Sequence, residues 1–256
     1  MKWIVRTLVL LAVLAAGPLV AVTSGLADMS RSWQTASRES TDQSPDPAST
    51  QEAVVQVFAA RAWSWRGAFG VHSWIAAKRT GADNYRVYEV IGWRARRGLS
   101  VISVNGRAPD GRWFGSAPEL LRDLRGPGVE QIIDDIEAAV TTYPYPDEYR
   151  VWPGPNSNTF IAHIGREVPG LRLDLPPTAI GKDWIPSNIV ARAPSGTGVQ
   201  LNVLGVLGVL AAKEEGLEIN LLGLTFGIDP LDLAIKLPGV GRLGPATKPV
   251  QVPAAE

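Results

Sequence analysis

Three side chains of this 256-residue chain have the types and order that acyl transfer requires: His72, Glu89 and Ser157. A serine hydroxyl is a weak nucleophile until a neighbouring base takes its proton, and the base must itself be held by a third group. His72 lies within Val71-His72-Ser73-Trp74-Ile75, a stretch that reads as a strand. Glu89 lies within Val87-Tyr88-Glu89-Val90-Ile91, a second such stretch, with turn-forming residues between them. Ser157 follows a stiff Pro153-Gly154-Pro155 corner, where a helix is expected to begin. A helix N-terminus presents unpaired backbone donors and a positive field, which suit an oxyanion. The three therefore read as nucleophile, base and orienter, provided that the fold brings them together. Each also has a purely structural reading. Ser157 would be a helix cap, His72 a satisfied strand residue, and Glu89 an ion-pair partner of Arg86 or Arg94 or a solvent-facing side chain.

The elements that must position them read as follows. Val54 to Ala59, Val71 to Lys78, Tyr85 to Trp93 and Leu99 to Val104 are β-branched or aromatic-rich and separated by turn residues, an antiparallel meander. Ser116-Ala117-Pro118-Glu119 has the spacing of a capping box, so a helix carrying Leu120, Leu121 and Leu124 is expected there, stopped by Gly126-Pro127-Gly128. Val129, Ile132, Ile133, Ile136 and Val140 recur at helical spacing and predict an amphipathic helix whose acidic face is solvated. A further short helix is expected from Ser157 to about Arg166, and His163 falls on its far side from Ser157.

Flanking segments set the context. Lys2 and Arg6 precede an uncharged run from Thr7 to Ala27, long enough to span a bilayer. The charges predict an N-inside helix with the bulk of the chain outside the cytoplasm, and an uncleaved anchor is favoured over a leader cut before Asp28. Residues 28–50 are a polar linker, residues 51–198 an α+β core domain, and residues 199–256 a Gly-rich apolar hairpin and tail. The runs Val199 to Ala212 and Leu217 to Ile228 are too short to cross a membrane as helices. They read as a hairpin apolar on both faces, hence buried or docked. The fold class expected is thus α+β: an antiparallel sheet packed on two or three helices, with an N-terminal transmembrane helix. The formal net charge is zero, which removes the basic footprint of a nucleic-acid binder. The chain has no cysteine and only two histidines, so thiol chemistry, disulfides and a zinc site are not expected, and no cofactor is implied.

Long motifs carry a resemblance. Val71-His72-Ser73-Trp74-Ile75-Ala76, Tyr88 to Trp93, Trp152 to Phe160, Ala179 to Asp183, and Glu215-Gly216 with Asn220 to Leu224 are similar to a family of bacterial envelope proteins catalogued only as a domain of unknown function. The likeness runs from about residue 33 to residue 244 and implies an N-terminal membrane segment but no established activity; together with the charges before the span, the expectation is a single-pass bacterial inner-membrane protein with its bulk in the periplasm. More distantly, the order of His72, Glu89 and Asn156-Ser157-Asn158-Thr159-Phe160 resembles circularly permuted papain-like folds of the NlpC/P60 and lecithin:retinol acyltransferase type, with serine in the place of cysteine. That resemblance implies a serine-type amide or ester hydrolase, or an acyl transferase, acting on an envelope component. The alternative is a non-catalytic anchored module that binds or scaffolds an envelope lipid, peptide or protein.

Overall fold

The computed structural model describes residues 2–30 and 32–254. It is an α+β protein built from two sheets and four helices, with a long apolar helix at its N-terminus. Helix α1 spans Lys2–Thr23 and is long and apolar enough to cross a membrane, a test that a secretion signal also passes.

The first sheet contains β1 (Val54–Arg61), β2 (Val71–Lys78), β3 (Arg86–Val90), β4 (Ile102–Asn105) and β5 (Glu119–Arg125), with a short helical turn, α2 (Gly92–Ala95), between β3 and β4. With β13 (Val250–Gln251) it forms six strands in the order β13-β5-β1-β2-β3-β4, antiparallel apart from the β13–β5 pair. Helices α3 (Val129–Thr141) and α4 (Ser157–Glu167) cover one face. The expected apolar stripe of α3 is the buried one: Val129, Ile132, Ile133 and Ile136 pack with Ile75, Tyr88 and Phe160. The acidic residues of α3 bind arginines of the sheet's rim, Arg79 bridging Glu130, Asp134 and Glu137.

The opposite face holds Phe58, Trp74 and Val87. Residues of the 28–50 segment wrap close to it: Ser40, Thr41 and the Gln43 backbone N–H all bond to Asp110, and Tyr85 donates to the Pro45 carbonyl. The linker is therefore a docked arm.

Two expectations change. The stretch from Ser116 to Arg125, expected to be helical, contains the strand β5. A seven-residue helix gains little by itself, because nucleation is costly, whereas here six of the seven residues from 119 to 125 pair with β1 along its otherwise open edge, Leu121 falling at a register shift. The second change concerns 199–228, expected to be one hairpin apolar on both faces, whereas one face carries the buried polar residues Gln200, Asn202, Glu218 and Asn220. Residues 199–228 form four strands of a seven-stranded antiparallel meander: β6 (Val190–Arg192), β7 (Gly198–Val203), β8 (Leu207–Ala212), β9 (Gly216–Leu221), β10 (Leu224–Asp229), β11 (Ala234–Leu237) and β12 (Gly241–Leu243). The first strand of this second sheet starts at Val190.

Candidate functional site

Strand β2 carries His72 and Ser73 as consecutive residues, so their side chains leave opposite faces of the sheet. Ser73 donates to Asn158 of α4 at 2.8 Å, which fixes its side as the helix side. His72 takes the other side, stacked between Trp113 and Trp74 with ring centroids 3.7 and 5.7 Å away. Glu89 in β3 projects to this same side. The His72 Nε2 and Glu89 Oε2 atoms are 3.0 Å apart, and because a carboxylate can only accept, Nε2 carries the hydrogen. The structure thus brings His72 and Glu89 together, as strands joined by turn residues allow.

Glu89 binds neither Arg86 nor Arg94. Arg107 reaches it through Nε and Nη2, both at 3.1 Å, and Asn105 donates from 3.0 Å. Arg86 pairs with Glu137 instead, and Arg94 with the Ser100 carbonyl. Burial would raise the Glu89 pKa, but His72 and Arg107 outweigh it and hold the carboxyl at about 2. Burial likewise pushes the His72 imidazole below its usual range, against the pull of Glu89. Nothing in the sequence pattern marks Arg107 itself as a partner of Glu89. The signal available was the Asn105-Gly106 turn, which swings the next residue back over β3.

Ser157 lies elsewhere. The structure places it at the start of α4 on the helix side of the sheet, near the Tyr149 phenol, and no hydrogen bond joins it to His72. Nor is Ser157 the cap. Asn156 holds that position: its Oδ1 accepts from the backbone N–H groups of Asn158 and Thr159 at 2.9 and 3.1 Å, and Thr159 Oγ1 accepts from the Asn156 N–H. The surrounding polar groups are also engaged. Asn156 and Asn158 both donate to the Ile180 carbonyl, Asn158 donates to that of Val71, and Thr159 to that of Gly181. The motif from Trp152 to Phe160 is therefore a clamp joining α4, β2 and the 178–184 loop. A Cβ on Gly181, whose φ is +96°, would collide with the Asn156 amide, which explains glycine there. His163 bonds the Ala139 carbonyl of α3.

The second sheet holds the most unusual chemistry. Along β9, Leu217 and Ile219 are 54% and 52% exposed, while Glu218 and Asn220 between them are 3% and 5% exposed. The alternation is that of any half-buried strand, but with the polar set inside. Register extends it across the sheet. The outward row through Val199, Ala211, Leu217, Ile228, Ile235 and Leu243 is apolar throughout. The inward side presents Gln200, Asn202, Glu218, Asn220, Thr225 and Lys236, all buried. Lys236 bonds Glu218 at 2.8 Å and also pairs with Asp174, while Lys182 closes on the other Glu218 oxygen. Burial opposes the Glu218 charge, yet the two ammonium groups prevail and lower its pKa. Asn220 bonds Asp183, and Arg166 at the end of α4 bonds Gln200, so the polar face is sewn to α4 and the loop before the second sheet. Among the described residues, no cluster of His, Cys, Asp or Glu has the arrangement to hold a metal ion.

Fold and site define an α+β protein with a clamped helix start, a buried His–Glu–Arg cluster and a sheet turned inside out. The chain belongs to the family described as "Protein of unknown function (DUF3750)", which matches residues 52–184, a narrower span than 33–244. The matched residues contain β1 to β5, α3, α4 and the clamp, and the second sheet lies beyond them. No curated protein and no solved structure matches the chain.

Proposed function

We propose that the chain is a membrane-anchored module of the bacterial cell envelope that works by binding, with the outward face of the second sheet as its docking surface. Helix α1 is the anchor, and Lys2 and Arg6 keep its start in the cytoplasm, leaving the folded part in the periplasm. The observation that carries the reading is the inverted alternation of β7 to β11. An isolated exposed leucine on a soluble protein needs no explanation, but a sheet face made of such residues does. These side chains also have no packing role to account for them, since the interior of this sheet is polar. The serine-hydrolase alternative needs a base at Ser157, and the imidazole lies across the first sheet from it.

The reading is tested by placing a photoreactive amino acid at Ile219 in the full chain and irradiating native membranes. Adducts of lipid or protein mass are expected at Ile219 and not at the exposed rim residue Arg97. If Ile219 forms no more adducts than Arg97, the face meets only water and the docking reading falls.

A further inference from the structure

The meander has two chemically different ends. Its alternate turns fall at the same end, and at one end they are Leu204-Gly205-Val206, Leu222-Gly223 and Pro238-Gly239-Val240, with no charged or hydrogen-bonding side chain. The opposite turns contain Lys213, Glu214 and Asp232, beside Leu231 and Leu233.

The apolar end is the one that touches α1. A Cβ on Gly17 would overlap the Pro238 carbonyl, and one on Gly239 would collide with Pro18, so turn and helix are in close contact. Arg61 holds this turn by donating to the carbonyls of Gly239 and Val240. Gly17 lies six residues before the helix end at Thr23, or roughly 9 Å along the axis at 1.5 Å per residue. The buried residues of α1 are Leu14, Pro18 and Ala21, all in its second half. Trp3 to Val13 are exposed, available to lipid all round. A helix spanning a hydrocarbon core of about 30 Å therefore carries the turn at Pro238 below the level of its own exit.

The aromatic residues near this contact have interfacial character. Trp152 is half exposed and donates its indole N–H to the Leu222 carbonyl in another of the apolar turns. Trp65, also half exposed, lies on the short helical turn Ser64–Ala68, which packs against α1 with Arg66 over its ring. An indole beside an apolar surface is the pairing favoured where hydrocarbon meets water.

We infer that the apolar turns and outward face of the second sheet are seated in the bilayer that holds α1, so that the protein is embedded by a sheet as well as anchored by a helix. This rests on the reading of that face as a docking surface and names lipid as its occupant. Charge agrees: the outward positions of β7 to β11 are all apolar, and Arg192 on the edge strand β6 pairs with Val199, at the charged end. On the inward side Glu218, Gln200 and Asn220 find partners, while Asp229 keeps one oxygen without a hydrogen bond, 3.8 Å from Arg242, so the face entering hydrocarbon carries no polar side chain and the sheet's edges remain to be covered.

The full chain has no cysteine, so a single introduced thiol can carry an environment-sensitive fluorophore. Leu207→Cys and Ile219→Cys are labelled, with Lys213→Cys and Arg97→Cys as references, each checked for wild-type melting. The proteins are then reconstituted into phosphatidylethanolamine/phosphatidylglycerol vesicles. Leu207→Cys and Ile219→Cys are expected to emit blue-shifted and to lose fluorescence to nitroxide-bearing lipid but not to aqueous iodide, with the reverse at the two references. Iodide quenching at Leu207 and Ile219 overturns the lipid assignment. If Ile219 nevertheless gives protein adducts in native membranes, the docking surface survives with a protein partner, and if it gives none, both readings fall. Protection from iodide without nitroxide quenching assigns the face to a second copy of the chain, and also overturns the inference.

Discussion

Glu89 receives hydrogen bonds from three side chains, and its ionisation is the means by which they cohere. Its folded pKa of about 2 lies below the ordinary 4.5. A carboxyl depressed on folding adds stability above its unfolded pKa and loses it as pH falls towards the folded value. Between pH 4.5 and about 2 the loss should reach about 3 kcal/mol, at 1.36 kcal/mol per unit. His72 acts in the same direction. Its imidazole is depressed below 6.5, so protonation favours the unfolded chain as pH falls below that value. Urea midpoints measured from pH 7 to pH 3 should fall throughout, and Glu89→Gln should be less stable at pH 7 but flatter below 4.5. An unchanged acid slope would remove Glu89 from this role. At the start of α4, Asn156→Ala should cost about 1 kcal/mol for the cap alone, and more for its lost amide bonds. Ser157→Ala should cost about 1 kcal/mol or less, the value of one hydroxyl contact. A fluorophosphonate probe is expected to leave the wild-type protein unlabelled, and labelling that disappears in Ser157→Ala would restore the nucleophile. The sequence made the His72–Glu89 pair legible, because turn chemistry between two strands makes them neighbours. The separation of Ser157 was not legible, since nothing local says which side of β2 the helix covers.

The elements divide along similar lines. Helix α3 was readable because five apolar residues at helical spacing leave little alternative. Strand β5 was not, because Leu120, Leu121 and Leu124 suit either period, and the deciding partner, β1, lies more than 60 residues earlier. The arm from residue 37 to residue 45 was visible only as a lack of pattern, and its attachment depends on partners far along the chain, Asp110 above all, with Tyr85, Arg112 and Gly115. Helix α1 makes a sharper prediction. Gly17 permits contact with the turn at Pro238, whereas Ala15 is exposed. Gly17→Ile should lower the melting temperature of the detergent-solubilised protein, and Ala15→Ile should leave it unchanged. Equal effects would mean that the helix does not pack there in solution.

At the scale of the molecule, the second sheet reverses the usual consequences of mutation. Glu218 sits between two buried lysines, and Glu218→Ala should cost about 3–5 kcal/mol by stranding their charge. Its neighbour Ile219→Thr should stay within about 0.5 kcal/mol in detergent, as a surface change. The period of this sheet was present in the sequence, in Val199-Gln200-Leu201-Asn202-Val203 and Leu217-Glu218-Ile219-Asn220-Leu221. Its polarity was not, because alternation fixes two faces without saying which one meets the core. The 217–221 stretch of β9 permits the most direct measurement. Single cysteines at these five positions, each variant used only if it keeps wild-type melting, would be exposed, in native membranes, to an apolar lipid-dissolved maleimide and then to a charged water-soluble one. The apolar reagent should modify positions 217, 219 and 221, the charged reagent should modify none, and positions 218 and 220 should react with neither. Charged-reagent labelling at 217, 219 and 221, or a pattern without the two-residue period, would contradict the account.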